Sequence, residues 1–387
     1  MNELAIYGLL VATVAYAIYP LGFEFYTYSS RELIALDNSV RGEFIKTQMV
    51  LHFLLYLVFL PLFCLLFYFE VLSYDYIGFF FVILILEHIN QELFRMLVAL
   101  SKQLHASLAL FFRQGAWALV VVLVMYFYPN TRHLENILMA WALGGLVSLF
   151  ISLYAVIILK SGSWESKVNW RWIKNGLYIA IPFLVATLGT NGIMTLDKYF
   201  IDFMHGKEAL GVYVFYLALS ISLLSFLDAG VFSFLYPKMV AVASKNDWAG
   251  LVDLMNKMFI QVVILSVLFL FFATLFLEYL VQWVGKGDFA ERTHIFYILL
   301  AMVFLQALSY IPHYALYALR KDRPIIYSGL FSLLFFIAFV LLYDYFGFEL
   351  PVPLSLISTF FIVLLWKTFS FLVEYKKSNY IGEEPLC

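Results

Sequence analysis

Charge is what this sequence has least of. Only 13% of its 387 residues are Asp, Glu, Lys or Arg, against roughly 25% in soluble domains. Hydrophobic residues make up 64% and aromatic residues 20%. A water-soluble fold of this size could not hide that much apolar surface, so lipid must be the solvent for most of it. The formal net charge of −2 offers no basic surface for nucleic acid, and none is expected as a partner. There are two cysteines, Cys64 in an apolar run and Cys387 at the end. They supply neither a disulfide framework nor a metal-ligand spacing, and a terminal Cys387 is not a C-a-a-X signal. The sequence has no phosphate-binding G-x-x-x-x-G-K-[ST] loop, no H-E-x-x-H and no Gly-x-Ser-x-Gly, which removes ATP-driven pumps and the commonest hydrolases. No connection between apolar stretches exceeds about 20 residues. That leaves no room for a catalytic domain outside the membrane, and no cofactor is expected.

What is present is a series of long apolar runs. A membrane span needs about 20 mostly apolar residues, and the chain offers eleven: 4–26, 47–69, 76–98, 106–128, 135–159, 174–200, 209–236, 258–282, 292–318, 325–346 and 352–374. The first is read as a retained helix rather than a signal peptide. Arg31 is the first cation, so no positive segment precedes it, and Ala15-Tyr16-Ala17 is a poor cleavage triplet. Pro20, Pro61, Pro182 and Pro312 lie inside spans, where membrane helices accept them. If residues 27–46 are cytoplasmic, the alternating inside segments hold sixteen of the 24 Lys and Arg residues. The outside segments hold four: Arg132, Lys207, Lys286 and Arg292. By the positive-inside rule the N-terminus is expected outside and the C-terminus inside. The expected fold is all-α, with an N-lobe of about five spans over 1–165 and a C-lobe of about six over 166–387.

Ionisable groups at membrane depth are costly and are functional candidates by default. In the third span His88, Gln91, Glu92 and Arg95 form overlapping i,i+3 and i,i+4 pairs. They read either as a hydrophilic strip lining a cavity or as a self-neutralised Glu92–Arg95 pair. Arg113, in the fourth span, has no carboxylate three or four residues away. It calls for a phosphate, a carboxylate on another helix, or lipid headgroups reached by snorkelling. In the sixth span Thr187, Asn191, Thr195 and Lys198 share a stripe, with Asp197 beside it. They are cavity residues or interhelical hydrogen-bonding groups. Asp228 in the seventh span has no local partner. Gln306, Tyr310, His313 and Tyr317 line one face of the ninth. Lys367, in the last span, reads as a snorkelling lysine. Together the strips, with their cationic heads, suit a water-filled cavity for a polar, anionic substrate.

Leu196–Lys238 carries a resemblance. Asp197-Lys198-Tyr199-Phe200-Ile201, then Gly206, then Ala209-Leu210-Gly211-Val212-Tyr213, then Leu235-Tyr236-Pro237-Lys238, is similar to the Wzx-type O-antigen and polysaccharide-repeat flippases of the MATE-like MOP superfamily. Glu92–Leu100 looks like that family's first-half basic segment, and Leu316–Lys321 like its late cytoplasmic turn. The resemblance implies two pseudo-symmetric six-helix lobes around a central cavity, working by alternating access in the bacterial cytoplasmic membrane. Its implied substrate is an undecaprenyl-pyrophosphate-linked oligosaccharide. An inward-negative potential would oppose export of such an anion, so coupling to a proton or Na+ gradient is expected, with a polysaccharide polymerase and chain-length machinery as expected partners besides membrane lipids. Asp197 and Lys198 match the family's charged pair, and Arg95 its first-lobe basic position. Two features depart from the pattern. Eleven spans imply that the family's first helix is absent, and Gly347-Phe348-Glu349-Leu350-Pro351 stands where the family has Gly-x-x-Gly-Ala.

The expected substrate and cavity residues are therefore Arg95, Arg113, Asn191, Asp197, Lys198, Asp228, Gln306 and His313. Arg113→Ala is expected to abolish glycan display with membrane expression intact. Two other readings stand beside the flippase. One is an ion-coupled multidrug-type antiporter of the same fold, which a deep first-lobe carboxylate such as Glu87 would favour. The other is a membrane-embedded polymerase or acyltransferase, which the short external loops disfavour.

Overall fold

The computed structural model of the chain describes residues 2–284 and 287–381. Every long element is a helix, and among the described residues there is no strand, as the hydrogen-bonding needs of backbone in lipid require. Ten helical stretches are long and apolar enough to cross a membrane. The longest, Trp170–Ala243, runs to 74 residues, or about 110 Å at 1.5 Å per residue. A hydrocarbon core of about 30 Å cannot hold that in one pass. Gly206 breaks it with a φ of 77°, a left-handed conformation open to glycine without strain. With that break the described residues contain eleven stretches long and apolar enough to cross a membrane.

The chain divides into two compact units, Asn2–Leu188 and Gly189–Cys387. The first unit contains α1 (Asn2–Gly22), α2 (Tyr26–Ala35), α3 (Arg41–Tyr68), α4 (Ile77–Ala99), α5 (Gln103–Phe111), α6 (Trp117–Phe127), α7 (Leu134–Ile158) and the opening turns of α8 (Trp170–Leu227). Its boundary falls later than the 165/166 division read from the sequence. The reason is Trp172, whose ring packs edge-on against Phe25 at 5.1 Å and Phe44 at 5.2 Å. With Leu51 and Ile173 these rings form one buried cluster that ties the start of α8 to α3. A second tie is made by backbone alone. Gly42 N–H donates to the Gly162 carbonyl and Gly162 N–H to the Asn38 carbonyl, both at 2.9 Å. A Cβ on Gly162 would stand 2.3 Å from the Ser39 carbonyl oxygen, so only glycine lets these two turns meet.

The first span ends earlier than residue 26, because α1 stops at Gly22. Phe23 and Glu24 then both adopt left-handed φ values of 51° and 52°, which leaves Glu24 buried at a chain reversal. Between α5 and α6 a single π-helical turn, Phe112–Ala116, replaces regular helix and contains Arg113. Such turns bulge the chain and re-aim a side chain, and they recur at functional sites.

The second unit contains the rest of α8, then α9 (Ser233–Ala243), α10 (Trp248–Val284), the short α11 (Gly287–Glu291), α12 (His294–Ala318), α13 (Asp322–Tyr345) and α14 (Pro351–Ile381). Helix α12 packs against α14, α14 against α13, and α9 against both α10 and α12. Small residues allow the close approaches here, as is usual in membrane bundles: Gly189 of α8 faces the Gly329 backbone of α13. A second π-helical turn, Asp228–Phe232, joins α8 to α9 and contains Asp228.

Candidate functional site

Each unit buries its own polar constellation. In the first, Glu92 of α4 is the hub. Its carboxylate accepts from Arg95 Nη1 at 2.8 Å and from Gln48 Nε2 at 3.0 Å, and His52 Nε2 stands 3.8 Å away. The Arg95 guanidinium also lies over the Tyr26 ring, 3.6 Å from its centroid. One turn earlier on α4, His88 Nδ1 meets the Tyr56 hydroxyl at 2.6 Å. The His52 and His88 rings are edge to face at 4.9 Å. Their two Nε2 atoms are buried without a hydrogen-bond partner, so this core contains polar capacity that the protein itself does not use. Glu24 adds a third element. Burial raises its carboxyl above the usual carboxylate range, and the Arg95 charge partly offsets that.

The hub opens onto a cavity of about 690 Å³ that lies wholly within the first unit. Its polar lining is Gln48, His52, Tyr56, Glu92, Lys160 and Ser161. The remaining wall is apolar, with Phe53 and Met49 each 59% exposed and Ile157 73% exposed. The size falls within the roughly 300–1,000 Å³ typical of ligand sites. The lining matches an amphiphile better than a purely polar solute.

A second first-unit cluster holds Arg113. Its Nε donates to Glu87 Oε2 at 2.6 Å, its Nη2 lies 2.6 Å from the same oxygen, and Nη2 donates to Gln91 Oε1 at 3.2 Å. Trp141 Nε1 donates to the other Glu87 oxygen at 2.8 Å. Trp117, stacked on Trp141 at 6.1 Å, donates to the Arg113 carbonyl. Of the partners the sequence left open for Arg113, the one present is a carboxylate on another helix. It also neutralises Glu87.

In the second unit Asp197 is fully buried. It accepts from the Tyr213 hydroxyl at 2.5 Å, from Lys198 Nζ at 3.2 and 3.4 Å, and from the Lys198 amide at 2.7 Å. Lys198 Nζ donates further to the Met194 carbonyl at 2.6 Å. This group latches the two halves of α8 across Gly206. Asn191 lies one turn before Thr195 and accepts its hydroxyl on the backbone carbonyl at 3.2 Å. Elsewhere in the unit, Asp228 lies on the π turn between α8 and α9, and Gln306 and His313 both lie on α12. Asp228 is exposed on its π turn, close enough for its charge to act on Tyr310 and Tyr314. Phe232, Tyr236, Tyr310, Tyr314 and Tyr317 form an aromatic array, with centroids 5.1–5.9 Å apart. Lys367, on α14, has most of its side chain buried. It is 8% exposed, within electrostatic reach of His313.

No family model and no curated protein matches the chain. Solved structures do. A multidrug resistance MATE family transporter of the MOP superfamily in its inward-facing conformation superposes with a TM-score of 0.76 at 14% identity, over 97% of this chain and 92% of that one. The chain has the MATE fold. An outward-facing multidrug resistance MATE transporter matches with a TM-score of 0.62 at 15% identity, over 97% and 89% of the two chains. A MOP superfamily transporter from Pyrococcus furiosus, described as having a binding pocket of reversed polarity, matches with a TM-score of 0.63 at 15% identity, over 96% and 88%.

Within this MATE fold the candidate residues fall into three groups. Arg95 sits in the Glu92 hub beside the cavity, while Arg113, Asp197 and Lys198 are held in buried ion pairs, with Asn191 on the same helix as the last two. Gln306 and His313 share one face of α12, and Asp228 lies on the π turn before α9. Sequence reading missed Gln48, His52 and Tyr56, which line the cavity, although their i,i+4,i+8 spacing on the second span marked a polar stripe. It also missed Glu24, which an uninterrupted first span would have carried past its reversal.

Proposed function

We propose that this chain is a transporter that moves a lipid-linked oligosaccharide, carried on undecaprenyl pyrophosphate, across the bacterial cytoplasmic membrane by alternating access. One observation carries the reading: the first-unit cavity is lined by both apolar side chains and hydrogen-bonding groups, as an amphiphilic substrate requires. The aromatic array of the second unit supports it, because flat rings with polar neighbours suit the faces and hydroxyl edges of sugars. The N-terminus lies outside and the C-terminus inside in this proposal, on the strength of the cation bias. A polysaccharide polymerase with its chain-length machinery follows downstream. An inward-negative potential opposes export of an anion by about 2.3 kcal/mol per charge per 100 mV, so transport is coupled to a proton or Na+ gradient. Glu24 is the group on which a proton would act.

The multidrug-type antiporter is the second reading, favoured by the fold of the structural neighbours. Its sequence support was an uncompensated Glu87, and that carboxylate is neutralised by Arg113. The reversed pocket polarity described for the Pyrococcus furiosus protein accords with one fold serving unlike substrates. A photo-reactive phenylalanine analogue in place of Phe53 tests the flippase reading. It is expected to capture polyprenyl-linked glycan in cells that make it. Capture of ordinary phospholipid alone, at the same yield in cells with and without that glycan, would count against the reading.

A further inference from the structure

Four cations lie at membrane depth: Arg95, Arg113, Lys198 and Lys367. Three have their charge met inside the fold, by Glu92, Glu87 and Asp197 respectively. Lys367 alone has no ion-pair or hydrogen-bond partner among the described residues, although it is 92% buried. Its ammonium is not among the fully enclosed atoms, so an anion can reach it, and an unpaired charge at membrane depth is costly without one. Two polar atoms on α12 also lack a partner. His313 Nδ1 and Gln306 Oε1 are buried without hydrogen-bond partners, and Tyr310, which stands 3.5 Å from Gln306 Nε2, lies between them. Gln306 and His313 are seven residues apart on one face, about 10 Å along the helix.

We infer that Lys367 and His313 form an anion site in the second unit that holds the phosphoryl group of a glycosyl phosphate, with Gln306 accepting a hydroxyl of the first sugar. The polarity of the unused groups sets this order. Lys367 and His313 can donate to phosphate oxygens, whereas a free amide oxygen needs a donor such as a sugar hydroxyl. The Tyr310 and Tyr314 rings provide an apolar face between the two ends. A cationic drug would be repelled at Lys367. The inference rests on the flippase reading and names the residues that recognise the charged part of its substrate.

The test uses the full chain in lipid nanodiscs, with geranylgeranyl pyrophosphate as probe and geranylgeraniol, inorganic pyrophosphate and phosphatidylglycerol as comparisons. Lys367→Met keeps the volume and removes a buried charge, so folding is expected to hold. Lys367→Arg keeps the charge. The expected result is tight binding of geranylgeranyl pyrophosphate by the wild type, roughly tenfold or more weaker binding by Lys367→Met, and near-wild-type binding by Lys367→Arg. Equal binding by all three overturns the site. So does a loss in Lys367→Met that phosphatidylglycerol binding shares equally, since Lys367 would then be a lipid-headgroup contact. Moving lipid-linked oligosaccharide in proteoliposomes separates the two levels. If the wild type and Lys367→Met move it equally, the anion site fails and the flippase reading stands. If the wild type moves none, both fail.

Discussion

Glu87→Ala is expected to leave little folded protein in the membrane, because it strands Arg113 as a buried, unpaired cation. Arg113 is 6% exposed, and its ion pair with Glu87 is reinforced by Gln91 and Trp141. Breaking one side of such a pair costs about 3–5 kcal/mol, a large part of a total stability of roughly 5–15 kcal/mol. Arg113→Ala should fall in the same range, with Glu87 as the stranded group. The double replacement Glu87→Met, Arg113→Met removes both charges and is expected to recover most of the folded yield. The measurement is the monodisperse fraction after detergent extraction, followed by thermal unfolding of what survives. A double variant no better than either single would show that the pair is not what holds these helices. The structure also changes the expectation for glycan display: Arg113→Ala should lose it together with the protein, not with expression intact.

Asp197→Ala is expected to be nearly as severe, for a different reason. The carboxylate is the shared acceptor that joins Tyr213 and Lys198 across the Gly206 break. Its removal orphans a buried hydroxyl, at about 1–3 kcal/mol, and leaves the Lys198 ammonium without its carboxylate. Asp197→Asn keeps an acceptor and should lie between wild type and alanine. Tyr213→Phe removes one hydrogen bond and should cost least. Thermal unfolding of the purified variants gives the order directly. If Tyr213→Phe proves as damaging as Asp197→Ala, the hydroxyl matters for something other than this latch.

The number of passes was legible in the sequence because lipid imposes it. An apolar run of about 20 residues reads the same way whatever packs around it, and the break at Gly206 was marked by a glycine inside an otherwise continuous helix. The first span's end was less legible. The left-handed turn falls on Phe23 and Glu24, residue types that do not announce such a conformation, and Glu24 therefore read as part of a helix. Pairings between helices were harder still. Gln48 and Glu92 are 44 residues apart in sequence, and Arg113 and Glu87 are 26 apart. Periodicity places each on a face but does not say which faces meet. The stripe of Gln306, Tyr310, His313 and Tyr317 was visible as a stripe. That Lys367 from α14 lies near its His313 end emerged only from the packing of α12 on α14.

The central claim is that this MATE-fold chain moves a lipid-linked anionic glycan. Its most direct test is the purified chain in proteoliposomes with fluorescent undecaprenyl-pyrophosphate oligosaccharide in one leaflet. The account predicts transfer to the other leaflet well above protein-free vesicles, faster with an imposed proton or Na+ gradient. Transfer no faster than in protein-free vesicles, alongside gradient-driven movement of a cationic dye, would contradict it and make the chain a multidrug-type antiporter.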